Sequence, residues 1–216
     1  ASMAVAGGYG EYVGVVTSSH FCSAEKEFRY PLGYGSQRPL SATWTVTGSG
    51  ACILGTRKSH ARITGITTGK IVDYGLKDSF NMGACMAPAA ASTIEANLRD
   101  FARKPEDYDR IITGDLGEIG QRILFDLLEE KGITIEDRHM DCGIEIFDKE
   151  TQDTHAGGSG CGCSAATFAS YILPKVEKGE WKRILFIPTG ALLSKVSYNE
   201  GKSVPGIAQA VVAEHC

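Results

Sequence analysis

The twelve residues Asp153–Ser164, DTHAGGSGCGCS, constrain the fold more than any other stretch of the chain. Four glycines and two cysteines crowd together there. A strand is expected shortly before them, at Cys142–Phe147 (CGIEIF), and a strong helix pattern follows. A glycine-rich turn that feeds a helix lets a ligand approach the backbone closely. It also aims free N–H groups and the positive end of the helix dipole at whatever binds, usually an anion. The spacing is neither G-x-G-x-x-G after a first strand nor a P-loop, so nucleotide binding does not follow from it.

Short runs rich in β-branched residues read as strands at Tyr12–Thr17, Thr43–Leu54, Ala61–Asp73, Arg110–Thr113, Cys142–Phe147, Arg183–Ile187 and Gly206–Ala213. Helical patterns alternate with them. Pro88 suits a first helical turn, and Ala89–Arg103 then places Ile94, Leu98 and Phe101 at helical spacing. Gly120–Glu130 puts Ile123, Leu124, Leu127 and Leu128 on one face, and Gly132 stops it. Ser164 is a fair N-cap for Ala165–Lys178, which Gly179 ends. Strands alternating with helices imply a layered α/β fold with a mostly parallel sheet. A faint internal echo adds to this. Helix, glycine turn, strand, polar loop and strand occur in that order near the start and again near the end, as a duplicated unit would give. Residues Ala1–Gly8 read as the tail of a helix and its glycine stop, which suggests a fragment whose first copy is truncated.

Composition bounds the function. With 43% hydrophobic and 22% charged residues, the chain is an ordinary globular one. A formal net charge of −4, with no Lys/Arg cluster apparent, argues against nucleic acid, whose phosphates need a basic face. No apolar run is long enough to span a bilayer. Seven irregularly spaced cysteines fit reduced thiols better than a disulfide framework.

Several motifs invite chemistry. Cys161 and Cys163 with His155 and Asp153 could suggest a metal, but C-x-C offers two thiolates at most and no second pair follows. Small residues packed closely at a helix start explain them better. Cys85 sits before a helix, where a thiol pKa falls. A catalytic Cys also needs a base, and a small buried thiol is the plainer reading. Asp115, in Thr113–Gly120 (TGDLGEIG), either caps the next helix or faces a pocket. Thr17–Phe21 and Pro188–Leu193 follow strands, at the ends where α/β sheets bind ligands.

The segment from Asp153 to Val212, together with VTSSHFCSAEKEFRYPLGYGSQRP, WTVTGSGACIL and NMGACMAPAAASTIEANL, resembles the stage V sporulation protein AD family along the whole chain. That family is similar to thiolases and ketoacyl synthases III, built from two α/β halves. The resemblance implies a truncated thiolase-like layered fold: residues 1–57 as the end of the first half and residues 58–216 as a complete second half. It matches the C-terminal two thirds of such a protein.

The resemblance also implies a function. In the condensing enzymes a His follows the strand matching Arg110–Thr113, and an Asn precedes the helix matching Ala165–Lys178. Here those places hold Gly114 and Gly162. Neither glycine has a side chain that can donate a hydrogen bond to an oxyanion, and each such loss costs on the order of 100-fold or more. The implied role is non-catalytic binding of dipicolinate, free or as its calcium chelate, with no cofactor. The expected pocket residues are Ser18, Ser19, His20, Asp115, Leu116, Gly158, Ser159, Gly162 and Ser164. The implied partners are membrane proteins of the same sporulation operon, with the protein held peripherally at the spore inner membrane. A thiolase-type acyltransferase is the alternative. A broken sheet would also leave apolar surface for self-association into a homo-oligomer.

Overall fold

The computed structural model describes residues 1–20 and 38–216. Helix α1 (Ser2–Ala6) stops at Gly7 and Gly8 and leads into β1 (Tyr12–Ser19). Then come β2 (Trp44–Thr45), β3 (Gly48–Gly55) and β4 (Ala61–Thr67). Helix α2 (Met82–Asp100), β5 (Arg110–Thr113), α3 (Gly117–Glu129) and β6 (His139–Asp141) follow. Next are α4 (Cys142–Glu145), β7 (Gly158–Ser159) and α5 (Cys161–Thr167), which continues through a π turn at Phe168–Ile172 into α6 (Leu173–Glu177). The chain closes with β8 (Arg183–Ile187), β9 (Thr189–Ala191), α7 (Lys195–Asn199), β10 (Gly206–Ala208) and β11 (Ala210–His215).

Five strands form the main sheet in the order β4-β11-β8-β5-β6. Strand β5 runs parallel to β6 and β8, whereas β11 is antiparallel to β8 and β4, so the sheet is mixed and not mostly parallel as the alternation of elements implied. Alternation along each strand divides the side chains between two cores. Ile111, Leu185, Ile187 and Val212 join Ile94 and Leu98 of α2 and Leu124 and Leu128 of α3 on one face. Ile112, Ile184, Phe186 and Ala213 join Cys163, Ile172 and Val176 on the other. A second sheet, the antiparallel ribbon β1–β3, lies on the far side of α5. Gly50 permits that contact, because a Cβ there would sit 2.1 Å from the Ala165 carbonyl oxygen.

The bounds of β5 and β8 match the sequence reading, and the glycine stops at Gly132 and Gly179 have left-handed φ values of 70° and 73°. Four readings need correction. Cys142–Phe147 begins a helix, not a strand: the Asp141 carboxylate accepts from the backbone N–H groups of Gly143 and Ile144, and this cap outweighs the period-2 look of Ile144 and Ile146. Thr43–Leu54 splits into β2 and β3, because Trp44–Thr45 pairs with the glycine run while Gly48–Gly55 pairs with β1. Gly206–Ala213 splits likewise, β10 pairing with β9 and β11 joining the main sheet.

The fourth correction concerns two helix starts. Helix α2 starts at Met82, so Pro88 lies inside it. A proline there costs about 3 kcal/mol, offset by a first turn capped by Asn81 and by a wholly buried stretch from Ala84 to Ala91. Helix α5 starts at Cys161, so Ser164 lies within its first turn and Gly160, at φ 97°, holds the cap position.

Candidate functional site

Three strand ends and the glycine run converge at one end of the main sheet. Thr113 ends β5, Asp141 ends β6, and Thr189 follows β8. Ser19, the last residue of β1, reaches the same place from the second sheet. Two carboxylates organise the junction, Asp141 buried and Asp115 half-buried.

Asp141 is the structural one. Its Oδ2 accepts from Thr113 Oγ1 at 2.6 Å and Leu116 N at 2.9 Å. Its Oδ1 accepts from Gly117 N at 3.1 Å, Gly143 N at 3.0 Å and Ile144 N at 3.3 Å. One side chain therefore ties the start of α3 to the start of α4. Burial pushes its pKa up, and these hydrogen bonds oppose that push. Behind it, Thr113 Oγ1 lies 3.0 Å from His139 Nε2, and His139 Nδ1 lies 2.9 Å from Gln121 Nε2. Burial presses the His139 pKa down to about 3. A neutral ring with its proton on Nε2 satisfies the whole chain: Gln121 donates to His139, His139 to Thr113, and Thr113 to Asp141.

Asp115 is the adaptable one. Its Oδ1 accepts from Thr189 Oγ1 at 2.8 Å, its Oδ2 accepts from Gly160 N at 3.0 Å, and its own N–H donates to Thr189 Oγ1 at 3.1 Å. Burial raises its pKa to about 7; its hydrogen bonds pull down, and the nearby Asp141 adds to the rise. Asp115 thus pins the glycine run to the end of β8, and it does not cap α3.

The glycines fill space rather than leave it open. A Cβ on Gly162 would lie 2.3 Å from the Gly48 carbonyl oxygen, and one on Gly158 would lie 2.7 Å from Ile146 Cγ2. One on Gly143 would lie 2.3 Å from the Gly158 carbonyl oxygen. Ser19 Oγ accepts from Gly162 N at 2.8 Å and donates to the Val46 carbonyl at 2.5 Å. Close packing at a helix start is what the composition of this run serves. Gly114 is equally confined: a Cβ there would lie 2.8 Å from Thr189 N. Cys163 Sγ donates to the Gly114 carbonyl at 3.9 Å, so the Gly114 turn and the first turn of α5 are neighbours.

The expected site residues divide accordingly. Ser19, Asp115, Gly158, Ser159 and Gly162 come together around the glycine run, with Leu116 buried beside them on Asp141. Ser164 is half-buried on α5. Ser18 and Ser19 are consecutive on a strand and face opposite ways, so Ser18 is exposed on the outer side of the ribbon. His20, just after β1, is exposed as well. Phe21, the end of the TSSHF run, lies outside the described residues. Cys85 is buried in the second turn of α2, and desolvation pushes its thiol up to about 11, as an inert thiol requires. Two surface hollows lie elsewhere, one of about 300 Å3 beside Glu145, Ile146, Thr167, Ser170 and Tyr171 and a smaller one beside Phe125 and Glu129.

The sequence reading missed Asp141 and His139, and it marked Thr189 only as part of the Pro188–Leu193 turn. Asp141-Cys142-Gly143 carried a usable signal, an Asp followed by small residues where a helix could be capped.

Comparison with known sequences agrees with this fold. The family model described as stage V sporulation protein AD (SpoVAD) matches residues 1–214. The chain belongs to the stage V sporulation protein AD family. Stage V sporulation protein AD of Bacillus subtilis (strain 168) is 44% identical over 214 residues, which is 99% of this chain and 63% of that protein. The chain therefore spans less than two thirds of that relative's length. Solved structures show that the chain has the thiolase and ketoacyl synthase III-like fold. A tetronic acid condensing enzyme, AbyA1, superposes with a TM-score of 0.55 at 13% identity, covering 99% of this chain and 62% of that one. The 3-oxoacyl-[acyl-carrier-protein] synthase III of Aquifex aeolicus VF5 gives 0.53 at 12% identity, with 99% and 61% covered. OleA of Xanthomonas campestris gives 0.56 at 14% identity, with 97% and 57% covered.

Proposed function

We propose that this chain belongs to a non-catalytic binding protein for dipicolinate, one that supports its movement into the developing endospore. Its partners in this reading are membrane proteins of the same operon, and its place is peripheral at the spore inner membrane. No helix among the described residues is long and apolar enough to cross a membrane. A sporulation family on a condensing-enzyme fold is what first supports the reading.

The observation that carries it is the pair Gly114 and Gly162. The resemblance puts the catalytic His and Asn at these positions. Each glycine here abuts backbone at under 3 Å from any added Cβ, so a larger side chain has no room at either place. Without those two donors, acyl condensation loses its oxyanion stabilisation.

Dipicolinate is a small, flat dianion near neutral pH. In our reading it lies over the ends of β5 and β8, where the Ser159 hydroxyl and the Thr189 hydroxyl, turned from Asp115 to the ligand, donate to it beside the carboxyl of Asp115. With Asp115 protonated, its O–H donates to a ligand carboxylate. With calcium present, ionised Asp115 offers an oxygen to the metal of the chelate.

Calorimetric titration of the chain with dipicolinate, with and without calcium, tests this. Ser159→Ala and Thr189→Val should each weaken binding about tenfold, the loss of one hydrogen bond to a charged group. Unchanged affinity in both variants moves the ligand elsewhere. Turnover of an acyl-CoA by the same preparation overturns the non-catalytic reading in favour of an acyltransferase.

A further inference from the structure

Positive charge is unevenly distributed along this acidic chain. Residues 38–72 contain Arg38, Arg57, Lys58, Arg62 and Lys70 and not one Asp or Glu, although the whole chain has a formal net charge of −4. Three of these cations fall within six residues, Arg57–Arg62 (RKSHAR), on the connection from β3 into β4, a local cluster that corrects the expectation of none. Arg57, Lys58, His60 and Arg62 are all exposed.

Aromatic surface adjoins them. Tyr12, at the start of β1, pairs across the ribbon with Gly55 at the end of β3, and the Arg57 guanidinium lies 5.3 Å from the Tyr12 ring centroid. Tyr9, just before the strand, is 89% exposed, and Met3 on α1 is 61% exposed. Cationic side chains beside exposed tyrosines form the surface that a lipid–water interface favours: tyrosine bridges its apolar and wet layers, and Lys or Arg finds anionic headgroups.

The acids nearby leave most of this charge available. Glu11 approaches Arg57 only to 3.8 Å, with both side chains well exposed, and such pairs contribute little. Glu214 approaches Arg62 at 3.9 Å but is held at 2.6 Å by Arg183.

We infer that the end of the molecule formed by α1, the start of β1 and the Arg57–Arg62 connection docks on an anionic membrane leaflet. Charge complementarity selects this occupant over a second copy of the chain. A two-fold contact here would set the same cations against each other. The docking face stands apart from the dipicolinate site, and it rests on the peripheral membrane placement proposed above, not on the ligand.

Vesicle flotation of the whole chain is the test, with phosphatidylcholine alone and with phosphatidylcholine mixed with phosphatidylglycerol. The chain should float only with the anionic vesicles, and raised salt should release it. At about 1 kcal/mol per basic residue, Arg57→Glu with Lys58→Glu should weaken binding about thirtyfold or more. Tyr9→Ala should weaken it further at every salt concentration. Circular dichroism melts should match the parent, since all these residues are exposed. Lys195→Glu with Lys202→Glu, exposed cations on and beside α7, is the control and should leave binding unchanged. Equal flotation with neutral vesicles, or equal loss in the control, overturns the inference. So does an oligomer that the Arg57/Lys58 reversal dissolves, or an acidic protein that competes where vesicles do not bind.

Discussion

Two antiparallel strand pairs in this molecule share one local plan and meet different fates. Strands β8 and β11 pair with Val211 opposite Phe186, and β1 and β3 pair with Val16 opposite Ala51. Each pair follows a helix and a glycine stop, α6 with Gly179 in one case and α1 with Gly8 in the other. The first pair is flanked by β5 and β4 and covered on both faces. The second has one face on α5 and one face open, where Val16 is 76% and Ile53 79% exposed. Strand pairing alone therefore does not decide stability. A two-stranded ribbon is marginal by itself, and what surrounds it does the rest.

The sharpest way to break the comparison is to truncate one residue in each pair. Leu185, fully buried in β8, should cost about 2–5 kcal/mol as Leu185→Ala, because the cavity cannot collapse between two helical layers. Ile53→Ala in β3 should change stability by no more than about 0.5 kcal/mol. Urea denaturation of both variants reads the difference directly. A large loss at Ile53 would mean that its face is covered in solution.

The next variant attacks a close contact between the ribbon and α5. Gly50 has no room for a Cβ against the Ala165 carbonyl. Gly50→Ala should therefore lift β3 off α5 and destabilise by about 1–3 kcal/mol. The effect should be confined: hydrogen exchange ought to rise in β1 and β3 while β5 and β8 stay protected.

The contrast also explains what was legible in the sequence. Arg110–Thr113 and Arg183–Ile187 could be read to the residue, because a strand buried on both faces is a short, unbroken apolar run with clear ends. Cys142–Phe147 could not. Its alternating isoleucines look like a strand, and what makes it helical is a carboxylate just upstream. Thr43–Leu54 hid its break, since the change of partner from the glycine run to β1 is a tertiary fact. The site was half legible. The glycine run marked the place, and Asp115 was singled out within its turn. Asp141 was invisible because its role depends on N–H groups from two turns far apart in the chain, at Leu116–Gly117 and at Gly143–Ile144. Likewise, nothing local separates Ser18 from Ser19; strand alternation does.

The two carboxylates at that junction provide a smaller and sharper test, through pH. The Asp115 pKa rises from 3.8 to about 7 on folding, so the fold binds its proton preferentially. The stability this gives is complete below pH 3.8 and is lost as pH rises through 7. His139 acts in the opposite sense. Its pKa falls from 6.5 to about 3, so its contribution is complete above pH 6.5 and is lost as pH falls toward 3. Between about pH 4 and 6.5 the two slopes oppose each other in the parent. Asp115→Asn keeps an acceptor for the Gly160 N–H, gives up the acceptor for the Thr189 hydroxyl, and removes one slope. Relative to the parent, the variant should gain stability as pH rises from 4 to 7, by up to about 1.4 kcal/mol per pH unit. Thermal melts across that range check it, and parallel curves would show that Asp115 ionises normally.

The smallest effect on stability belongs to the open face of the ribbon, and there the readout is association. Val16, Ala51 and Ile53 share one outward face of β1 and β3, with Gly14 opposite Ile53 and the Ser18–Ser49 pair at one end. Such a face is apolar, and among the described residues its two strands pair with no third, the combination that invites a second sheet. We expect the chain to self-associate through it. Charged residues on an exposed strand oppose that pairing without disturbing the core. Val16→Lys with Ile53→Lys should therefore shift light scattering from oligomer to monomer and leave the denaturation midpoint nearly unmoved. The same substitutions placed in β8 and β11, at Phe186 and Val211, would unfold the molecule, because there the corresponding face already has its cover in Ile172 and Val176. A parent that scatters as a clean monomer would show that the ribbon tolerates an open face unaided, and the two strand pairs would then differ less than their surroundings do.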